Sequence, residues 1–255
     1  MIKNKIIVAL FFFAACQSTK QESKPETDSS AIASPETPVA GMIPNQLTEE
    51  QVAEGWELLF NGKDTEGWRF YKGKENDSWE VVDGTLHCKP AAAATKRADL
   101  MTVNQYENFE LSFDWKIAEK GNSGVMYRVT EEFNEPYLSG PEYQVIDDKG
   151  YPNEVRDTQT TGSNYDMHAA PTGKPINPVG EWNNSKIVVT GNKVQHWLNG
   201  VQLFEYELGS DDWKQRKAGS KWKDAAGYGM AQKGHIDFQD HGTEAWFRNI
   251  KIKNL

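Results

Sequence analysis

Alternating apolar and polar positions predict short β-strands along most of the chain. In the segment "FELSFDWKI", the residues Phe109, Leu111, Phe113 and Trp115 fall on one face and polar side chains on the other. This two-residue period is typical of a half-buried strand. Similar runs are "WEVV", "TLHC", "SGVMYRV", "IVVT", "VQHWL", "VQLFEYEL" and "AWFRNIKIKNL". About ten short strands around one core predict an all-β fold, a sandwich of two antiparallel sheets.

Tight turns separate several of these runs. Asp83-Gly84 and Asn199-Gly200 each stand between two β-prone segments. Both pairs accept the positive φ angles that a two-residue hairpin turn requires. Gly191 marks a third turn. We therefore predict that consecutive strands pair as antiparallel hairpins.

Two short helices are predicted beside the strands. Thr48 has Gln51 three residues later, which is the spacing of a capping box, and Gly55 can end that helix. In "SDDWKQRKAG", Ser210 is a suitable N-cap and Gly219 a suitable stop. No internal repeat interrupts the strand pattern.

The N-terminus resembles a bacterial lipoprotein signal. Lys3 and Lys5 precede the apolar residues 6–15, a stretch too short to span a bilayer. The segment "FFAAC" is similar to a lipobox, in which Cys16 becomes the lipidated first residue. We predict a signal peptide over residues 1–15, with an ordinary signal peptide cut elsewhere as the alternative. Acyl chains on Cys16 would anchor the protein without a transmembrane helix.

The composition changes again before the predicted domain. Residues 17–46 are rich in Ser, Thr, Pro, Glu and Lys and contain no aromatic residue, so they cannot bury enough apolar area to offset the entropy of ordering. We predict a lipid-anchored disordered tether over residues 16–47 and one folded domain over residues 48–255. The expected location is the cell envelope, in the periplasm or on the outer membrane, with the lipid as the only membrane contact.

Charge and cysteine content narrow the function classes. The formal net charge is -9, which argues against nucleic-acid binding, because phosphate contacts need clustered Lys and Arg. With Cys16 lipidated, Cys88 has no partner for a disulfide and is predicted to be a packed thiol. The 9 Trp, 9 Tyr and 11 Phe residues suit a sandwich core and a surface that stacks on sugar rings.

Several motifs in a fixed order resemble one family. They are "GWELLFNGKDTEGW" (55–68), "WEVVDGTL" (79–86), "NSGVMYR" (122–128), "GPEYQVID" (140–147), "GEWNNSKIVVTGNKVQHWLNG" (180–200), "IDFQDHG" (236–242) and "FRNIKIK". This family was long called domain of unknown function 1080. It is now described as 3-keto-disaccharide hydrolase, or 3-keto-glucoside 1,2-lyase/3-keto-2-hydroxyglucal hydratase. The resemblance implies a concanavalin A-like jelly roll with a concave face that holds a sugar, in Bacteroidota-type bacteria.

Strand alternation selects the first candidate site residues. In "NSGVMYRV", Asn122 and Arg128 share a face with Gly124 and Met126. An arginine among small and polar neighbours suits a sugar-facing sheet, because its guanidinium donates to two oxygens. Asn122 and Arg128 are therefore predicted substrate contacts, with a surface salt bridge as the alternative for Arg128.

The next strand supplies the predicted catalytic base. In "GPEYQVID", Glu142 and Gln144 share one face. A carboxylate held on a rigid strand and partly desolvated has its pKa raised toward neutrality. Glu142 is predicted to be a catalytic base or a metal ligand, and Gln144 a substrate contact. The alternative is a solvent-facing glutamate.

Two further segments complete the predicted site. In "GHIDFQDHG", Gln239 and His241 alternate with core positions. Gln239 and Asp240 are predicted to contact substrate, with orientation of His241 as the alternative for Asp240. The loop "TGSNYDMHAAPTGKPINPVGEW" is long, and long ordered loops are commonly functional. Within it, Tyr165 is predicted to bind substrate and His168 to be catalytic. His241 is the third predicted catalytic residue.

The cofactor remains open at this stage. The sequence contains no HExxH zinc motif, GxSxG elbow, P-loop or dinucleotide fingerprint. A divalent metal ion held by Glu142, His168 and either His241 or Asp240 is chemically allowed, and their spacing neither supports nor excludes it.

A 3-keto sugar permits a reaction that ordinary glycosides do not. The C3 carbonyl acidifies the hydrogen on C2, so a base can form an enediolate and expel the substituent on C1. Water then adds to the resulting 2-hydroxyglucal. Arg128, His241 or a metal ion would stabilise the enediolate. We therefore predict an enzyme that cleaves 3-keto-glucosides. The alternatives are a non-catalytic carbohydrate-binding module and a conventional two-carboxylate glycosidase.

Overall fold

The computed structural model of the protein describes residues 43–255, and this part contains thirteen strands and two short helices. The helices are α1 (Glu49–Ala53) and α2 (Asp211–Gly219). The strands are β1 (Trp56–Leu58), β2 (Trp68–Phe70), β3 (Trp79–Val82), β4 (Thr85–Cys88), β5 (Leu100–Thr102), β6 (Phe109–Ile117), β7 (Asn122–Val129), β8 (Glu142–Ile146), β9 (Asn183–Thr190), β10 (Lys193–Leu198), β11 (Val201–Glu207), β12 (His235–Phe238) and β13 (Ala245–Asn254). Short 3₁₀ turns lie at Tyr71–Gly73, Ala91–Ala93, Pro136–Leu138 and Asp157–Gln159.

The strands form two antiparallel sheets. The larger has eight strands in the order β11-β10-β9-β6-β13-β4-β3, with β1 added against β13. The smaller has five strands in the order β2-β5-β12-β7-β8. The predicted jelly-roll sandwich of two antiparallel sheets is confirmed.

The predicted hairpin turns form as expected. Asp83 and Gly84 join β3 to β4 with φ angles of 49° and 70°, and Asn199 and Gly200 join β10 to β11 with 46° and 80°. Positive φ at both central positions matches the twist of the paired strands, which is why these dipeptides favour hairpins.

Side chains from both sheets meet in one core. From the larger sheet, the apolar face of β6 contributes the predicted residues Phe109 to Trp115, which are at most 2% exposed. From the smaller sheet the core row is Phe70, Leu100, Phe238, Val125 and Tyr143, which stand opposite one another across the five strands. The other face of the smaller sheet, called the outer face below, carries the remaining side chains of these strands. Both faces of β7 and β8 are buried, so other segments cover the outer face.

The two predicted helices begin and end where their caps indicate. Thr48 and Gln51 form a reciprocal capping box at the start of α1, and Gly55 follows its end with φ of 86°. The Ser210 side chain accepts a hydrogen bond from the backbone N–H of Trp213 at the start of α2. These caps satisfy N–H groups that have no partner within the helix.

The folded domain begins earlier than the predicted boundary at residue 48. Asn45 is 7% exposed, and its amide donates to the carbonyl of Gly84 at 2.8 Å. Its Oδ1 accepts from the N–H of Asn249 at 2.8 Å. The predicted tether is therefore three residues too long at its C-terminal end, because Asn45 closes the sandwich against β13.

The predicted signal peptide and Cys16 lie outside the described residues. Between residues 43 and 255, neither helix has the length and apolarity needed to cross a membrane. Cys88 is a free, buried thiol, and burial raises its pKa far above the usual range. It is therefore a packed thiol, as the sequence predicts.

Candidate functional site

A row of five side chains crosses the outer face of the five-stranded sheet. Residues directly opposite one another in an antiparallel sheet share a face. From β2 to β8 the row is Arg69, Met101, Asp237, Met126 and Glu142. The row therefore places two carboxyl groups on one face, on strands separated by β7.

Glu142 is a buried carboxylate without a partner in the described part of the chain. Its residue is 3% exposed, and no hydrogen bond or ion pair reaches the carboxylate from residues 43–255. The side chain lies over Gly124 of β7, where a β-carbon would clash with Oε1. Burial raises the pKa of Glu142 to about 7; the ammonium group of Lys221 opposes this shift and Asp99 adds to it. A carboxylate of this kind is available as a base near neutral pH.

Two more carboxyl groups lie on the same face. Asp237 is fully buried, and neither of its oxygens has a hydrogen-bond partner among the described residues. Burial raises the pKa of Asp237 well above its usual range, and the charges of Asp99 and Glu142 raise it further. Asp99 accepts a hydrogen bond from the N–H of Asp240 at 2.8 Å, and burial raises the pKa of Asp99 as well. Glu142, Asp237 and Asp99 are therefore three carboxyl groups whose pKa values are all raised by burial.

Three predicted substrate contacts share this face. Gln144 stands opposite Gly124, and the N–H of Gln239 donates to the Gly124 carbonyl at 2.9 Å. Asn122 lies two residues before Gly124, and its buried Oδ1 has no partner among the described residues. The strands thus place Asn122, Gln144 and Gln239 on the same face as Glu142.

Tyr165 and His241 lie at the edge of the same region. The N–H of Tyr165 donates to the carbonyl of Glu142 at 3.0 Å, and the ammonium of Lys221 is 4.0 Å from the centroid of the Tyr165 ring. His241 is exposed, with its ring centroid 6.5 Å from that of Tyr151. Desolvation lowers the pKa of His241, and the charge of Lys221 lowers it further. The charge of Lys221 therefore acts on both Glu142 and His241.

The structure contradicts the predicted position of Arg128. A bulge shifts the register between β7 and β12, and Arg128 has φ of 53°. This extra residue reverses the alternation. The Arg128 guanidinium is buried and donates to the backbone carbonyls of Glu107 and Gly191 at 2.7 to 3.1 Å. Arg128 is a structural residue, so neither its predicted substrate contact nor its suggested stabilisation of the enediolate is supported.

His168 belongs to an aromatic stack. Its ring lies 4.5 Å from that of Tyr206 at an angle of 16° and also stacks near Trp213 of α2. Its Nδ1 is 3.2 Å from the amide of Asn164, and its Nε2 is 3.3 Å from Asp212. Burial lowers the pKa of His168 to about 4. Both ring nitrogens have protein partners, so the catalytic role predicted for His168 is wrong on this geometry.

Asp240 is also a structural residue. Its side chain is 1% exposed and is paired with Arg97. Its oxygens also accept hydrogen bonds from the Ser78 hydroxyl at 2.5 Å and from the N–H of Gly242 at 3.0 Å. Because these protein donors occupy the Asp240 carboxylate, the predicted substrate contact is wrong. The Asp240 side chain also does not orient His241.

The metal site considered for Glu142, His168 and His241 or Asp240 does not assemble. His168 and Asp240 are held by the partners described above. Within residues 43–255, no group of three or more His, Cys, Asp or Glu side chains is arranged to hold a metal ion.

A separate cleft of about 300 Å³ opens at the end of β6 and β8, where Trp115 and Ile146 line it. Two carboxylates of its lining have partners: Asp147 accepts a 2.7 Å bond from a backbone N–H, and Asp148 pairs with Lys174 at 2.8 Å. Glu181, which is exposed, also lines this cleft.

Sequence reasoning did not select Asp99, Asp237 or Lys221 for the site. Alternation in "GHIDFQDHG" did place Asp237 on the face of Gln239, so a signal for it existed. Asp99 and Lys221 lie in segments without a recognisable pattern, and only the packing of distant loops brings them to Glu142.

Comparisons with known proteins agree with the fold. A family described as the 3-keto-alpha-glucoside-1,2-lyase-like domain matches residues 55–253. A "3-keto-disaccharide hydrolase" of Bacteroides thetaiotaomicron is 33% identical over 231 residues, which cover 80% of this chain and 79% of that protein.

Two crystal structures from Parabacteroides distasonis ATCC 8503 are also similar, and both proteins are proposed glycosyl hydrolases. The first has a TM-score of 0.77 and 43% identity, covering 84% of this chain and 100% of that chain. The second has a TM-score of 0.60 and 28% identity, covering 78% and 99%.

Proposed function

Because the chain belongs to the 3-keto-alpha-glucoside-1,2-lyase-like family, and is therefore a carbohydrate hydrolase, we propose that it cleaves 3-keto-glucosides by removing the proton on C2. The observation that supports this most strongly is the Glu142 carboxylate, which is buried, has no partner among the described residues, and has a pKa of about 7.

The proposed reaction begins with proton transfer to Glu142. The C2–H bond breaks, its electron pair forms a double bond between C2 and C3, and the C3 oxygen becomes negative. The electrons then return, the bond from C1 to the glycosidic oxygen breaks, and a C1–C2 double bond forms. The leaving oxygen takes a proton, which Glu142 can return to it. Addition of water across C1 and C2 completes the net hydrolysis.

The neighbouring residues fit the binding part of this proposal. Asn122, Gln144 and Gln239 place amide groups beside Glu142, and amides suit sugar hydroxyls because they both donate and accept. Tyr165 and His241 at the edge supply a ring and an imidazole. These five side chains are the proposed substrate contacts.

A labelled substrate tests the reaction type. We expect turnover of a 3-keto-disaccharide and no turnover of the plain disaccharide, because only a C3 ketone acidifies the C2 hydrogen. With deuterium at C2, the label should appear in solvent, and a primary isotope effect should appear if proton removal limits the rate. NMR measures the release of deuterium into solvent, and initial rates measure the isotope effect.

The controls separate the alternatives. Free 3-keto product is incubated without enzyme, so that spontaneous exchange at C2 is known. Complete retention of deuterium through cleavage contradicts elimination. Equal turnover of the plain sugar indicates a conventional glycosidase, and binding without turnover of either sugar indicates a carbohydrate-binding module.

The N-terminal segment supports a separate proposal about where the protein is located in the cell. We propose that Cys16 is lipidated and anchors the protein in the cell envelope, as "FFAAC" suggests. Metabolic labelling with a fatty acid should mark the wild-type chain and leave Cys16→Ser unmarked. Labelling of both proteins to the same extent would refute the anchor.

A further inference from the structure

We propose that Lys221 is a catalytic residue whose ammonium group stabilises the negative oxygen formed when Glu142 removes the C2 proton. This inference rests on the proposed function and assigns a residue to the charge that develops at C3.

The Lys221 ammonium lies among three aromatic rings. Its Nζ is 4.0 Å from the ring centroid of Tyr165, 4.2 Å from that of Trp222 and 5.9 Å from that of Tyr137. Aromatic faces are electronegative and attract a cation. Residue Lys221 is exposed, and partial desolvation of its ammonium lowers its pKa, while the charge of Glu142 raises it. The three rings favour the charged form and leave its N–H donors available for an oxygen.

The backbone N–H of Lys221 and the side chain of Trp222 bind the loop that carries Tyr165. The N–H of Lys221 donates to Asp166 at 2.8 Å, and the indole N–H of Trp222 donates to the carbonyl of Tyr165 at 2.9 Å. Trp222 is 2% exposed and stacks on Tyr228 at 4.5 Å. The ammonium is thus positioned before substrate arrives, as electrostatic stabilisation of a transition state requires.

The same loop connects Lys221 to Glu142. The Tyr165 ring contacts the ammonium, and the Tyr165 N–H donates to the Glu142 carbonyl at 3.0 Å. Each group favours the charged form of the other, yet they form no ion pair among the described residues. Because neither group is committed to an ion pair among the described residues, the carboxylate is available for the C2 proton and the ammonium for the C3 oxygen.

Other charged groups around these two are few. Asp166, Arg156 and His241 face Lys221, and the Asp166 carboxylate is itself paired with Arg156 at 2.5 Å. Around Glu142, in addition to Lys221, lie the carboxyl groups of Asp99 and Asp237 and the phenols of Tyr165 and Tyr228. Lys221 is accordingly the cation that favours the ionised form of Glu142.

The kinetic test uses three variants of the full-length protein with a 3-keto-disaccharide. Lys221→Met removes the charge and keeps the length, and we expect kcat to fall about 100-fold, as for loss of one oxyanion donor, with a small change in KM. In Lys221→Met, the fall of activity at acid pH should occur at a higher pH than in the wild type. The reason is that removal of the Lys221 charge raises the pKa of Glu142. Lys221→Arg should retain much of kcat, and Lys223→Met, an exposed control two residues away, should behave as wild type.

A second measurement needs no turnover. In protein labelled with 13C at the glutamate carboxyl carbon, the Glu142 signal is identified by its loss in Glu142→Gln. Its titration midpoint should move to higher pH in Lys221→Met and stay in place in Lys221→Arg and Lys223→Met. If the wild type cleaves no 3-keto sugar, the proposed function fails and so does catalysis by Lys221, while a moved midpoint would still show the charge coupling.

Three results would overturn the proposal. An unchanged kcat and acid limb in Lys221→Met would remove Lys221 from the chemistry. A rise in KM alone would make it a binding residue. A covalent adduct on Lys221 trapped by borohydride would show that the neutral amine attacks the C3 carbonyl, in place of a charged ammonium. Should Lys221→Met be less stable than wild type, Lys221→Gln provides a second neutral variant for the same comparison.

Discussion

Glu142→Gln is expected to lower kcat on a 3-keto-disaccharide by about 10³-fold, within the range that general base catalysis contributes. The amide keeps the size of the carboxyl group and cannot accept the C2 proton at neutral pH. In the wild type, activity should rise with pH through about 7, where Glu142 loses its proton. Glu132→Gln, on an exposed glutamate, is the matched control and should leave kcat unchanged.

The same variant should not be less stable than the wild type. The folded-state pKa of Glu142 is about 7, above its ordinary value of 4.5. Between these pH values the folded state binds more protons than the unfolded state, so the free energy of unfolding falls as pH rises from about 4.5 to about 7. Above pH 7 the free energy of unfolding of the wild type is reduced by on the order of 3 kcal/mol for this reason. Glu142→Gln does not undergo this reduction.

Thermal unfolding at pH 5 and pH 8 measures this difference. The Tm of Glu142→Gln should exceed that of the wild type at pH 8, and the difference should shrink at pH 5. If the variant is unfolded at both values, Glu142 is a structural residue. If it keeps full activity, the base lies elsewhere on the outer face.

Arg97→Met is expected to destabilise the domain by about 3–5 kcal/mol, the cost of leaving a buried charge without its partner. The Asp240 side chain is 1% exposed, and among residues 43–255 Arg97 is the cation paired with it. The hydroxyl of Ser78 and the N–H of Gly242 remain as hydrogen-bond donors, but they do not supply a positive charge. The loss should be measured by urea unfolding at pH 7.

A double variant tests the cause of this loss. Arg97→Met combined with Asp240→Asn removes both charges, so it should recover much of the lost stability. Arg216→Met, which breaks an exposed pair with Asp212 on α2, should cost less than about 1 kcal/mol. If Arg97→Met unfolds like the wild type and instead weakens substrate binding, Asp240 and Arg97 belong to the site after all.

The residues that sequence reasoning placed correctly depend on local rules. Alternation alone places Glu142 and Gln144 on one face of β8, and the tertiary structure keeps them there. The position of Arg128 was predicted wrongly because a bulge inserts one extra residue opposite β12 and turns the side chain toward two backbone carbonyls. No pattern in the neighbouring sequence marks this bulge. His168 and Asp240 were misassigned for another reason: their partners Asp212 and Arg97 are 44 and 143 residues away in the chain.

The sequence by itself determined the sandwich and its hairpins, since two-residue periodicity, Asp-Gly and Asn-Gly turns and helix caps all act over a few neighbouring residues. The resemblance to the family rests on several motifs in a fixed order. Only the tertiary structure decided which polar side chains meet. Burial against β7 and its Gly124 raises the pKa of Glu142, and the loop after α2 brings the ammonium of Lys221 beside Tyr165. Desolvation and charge proximity depend on what surrounds a group in space, and segments far apart in the chain supply those surroundings.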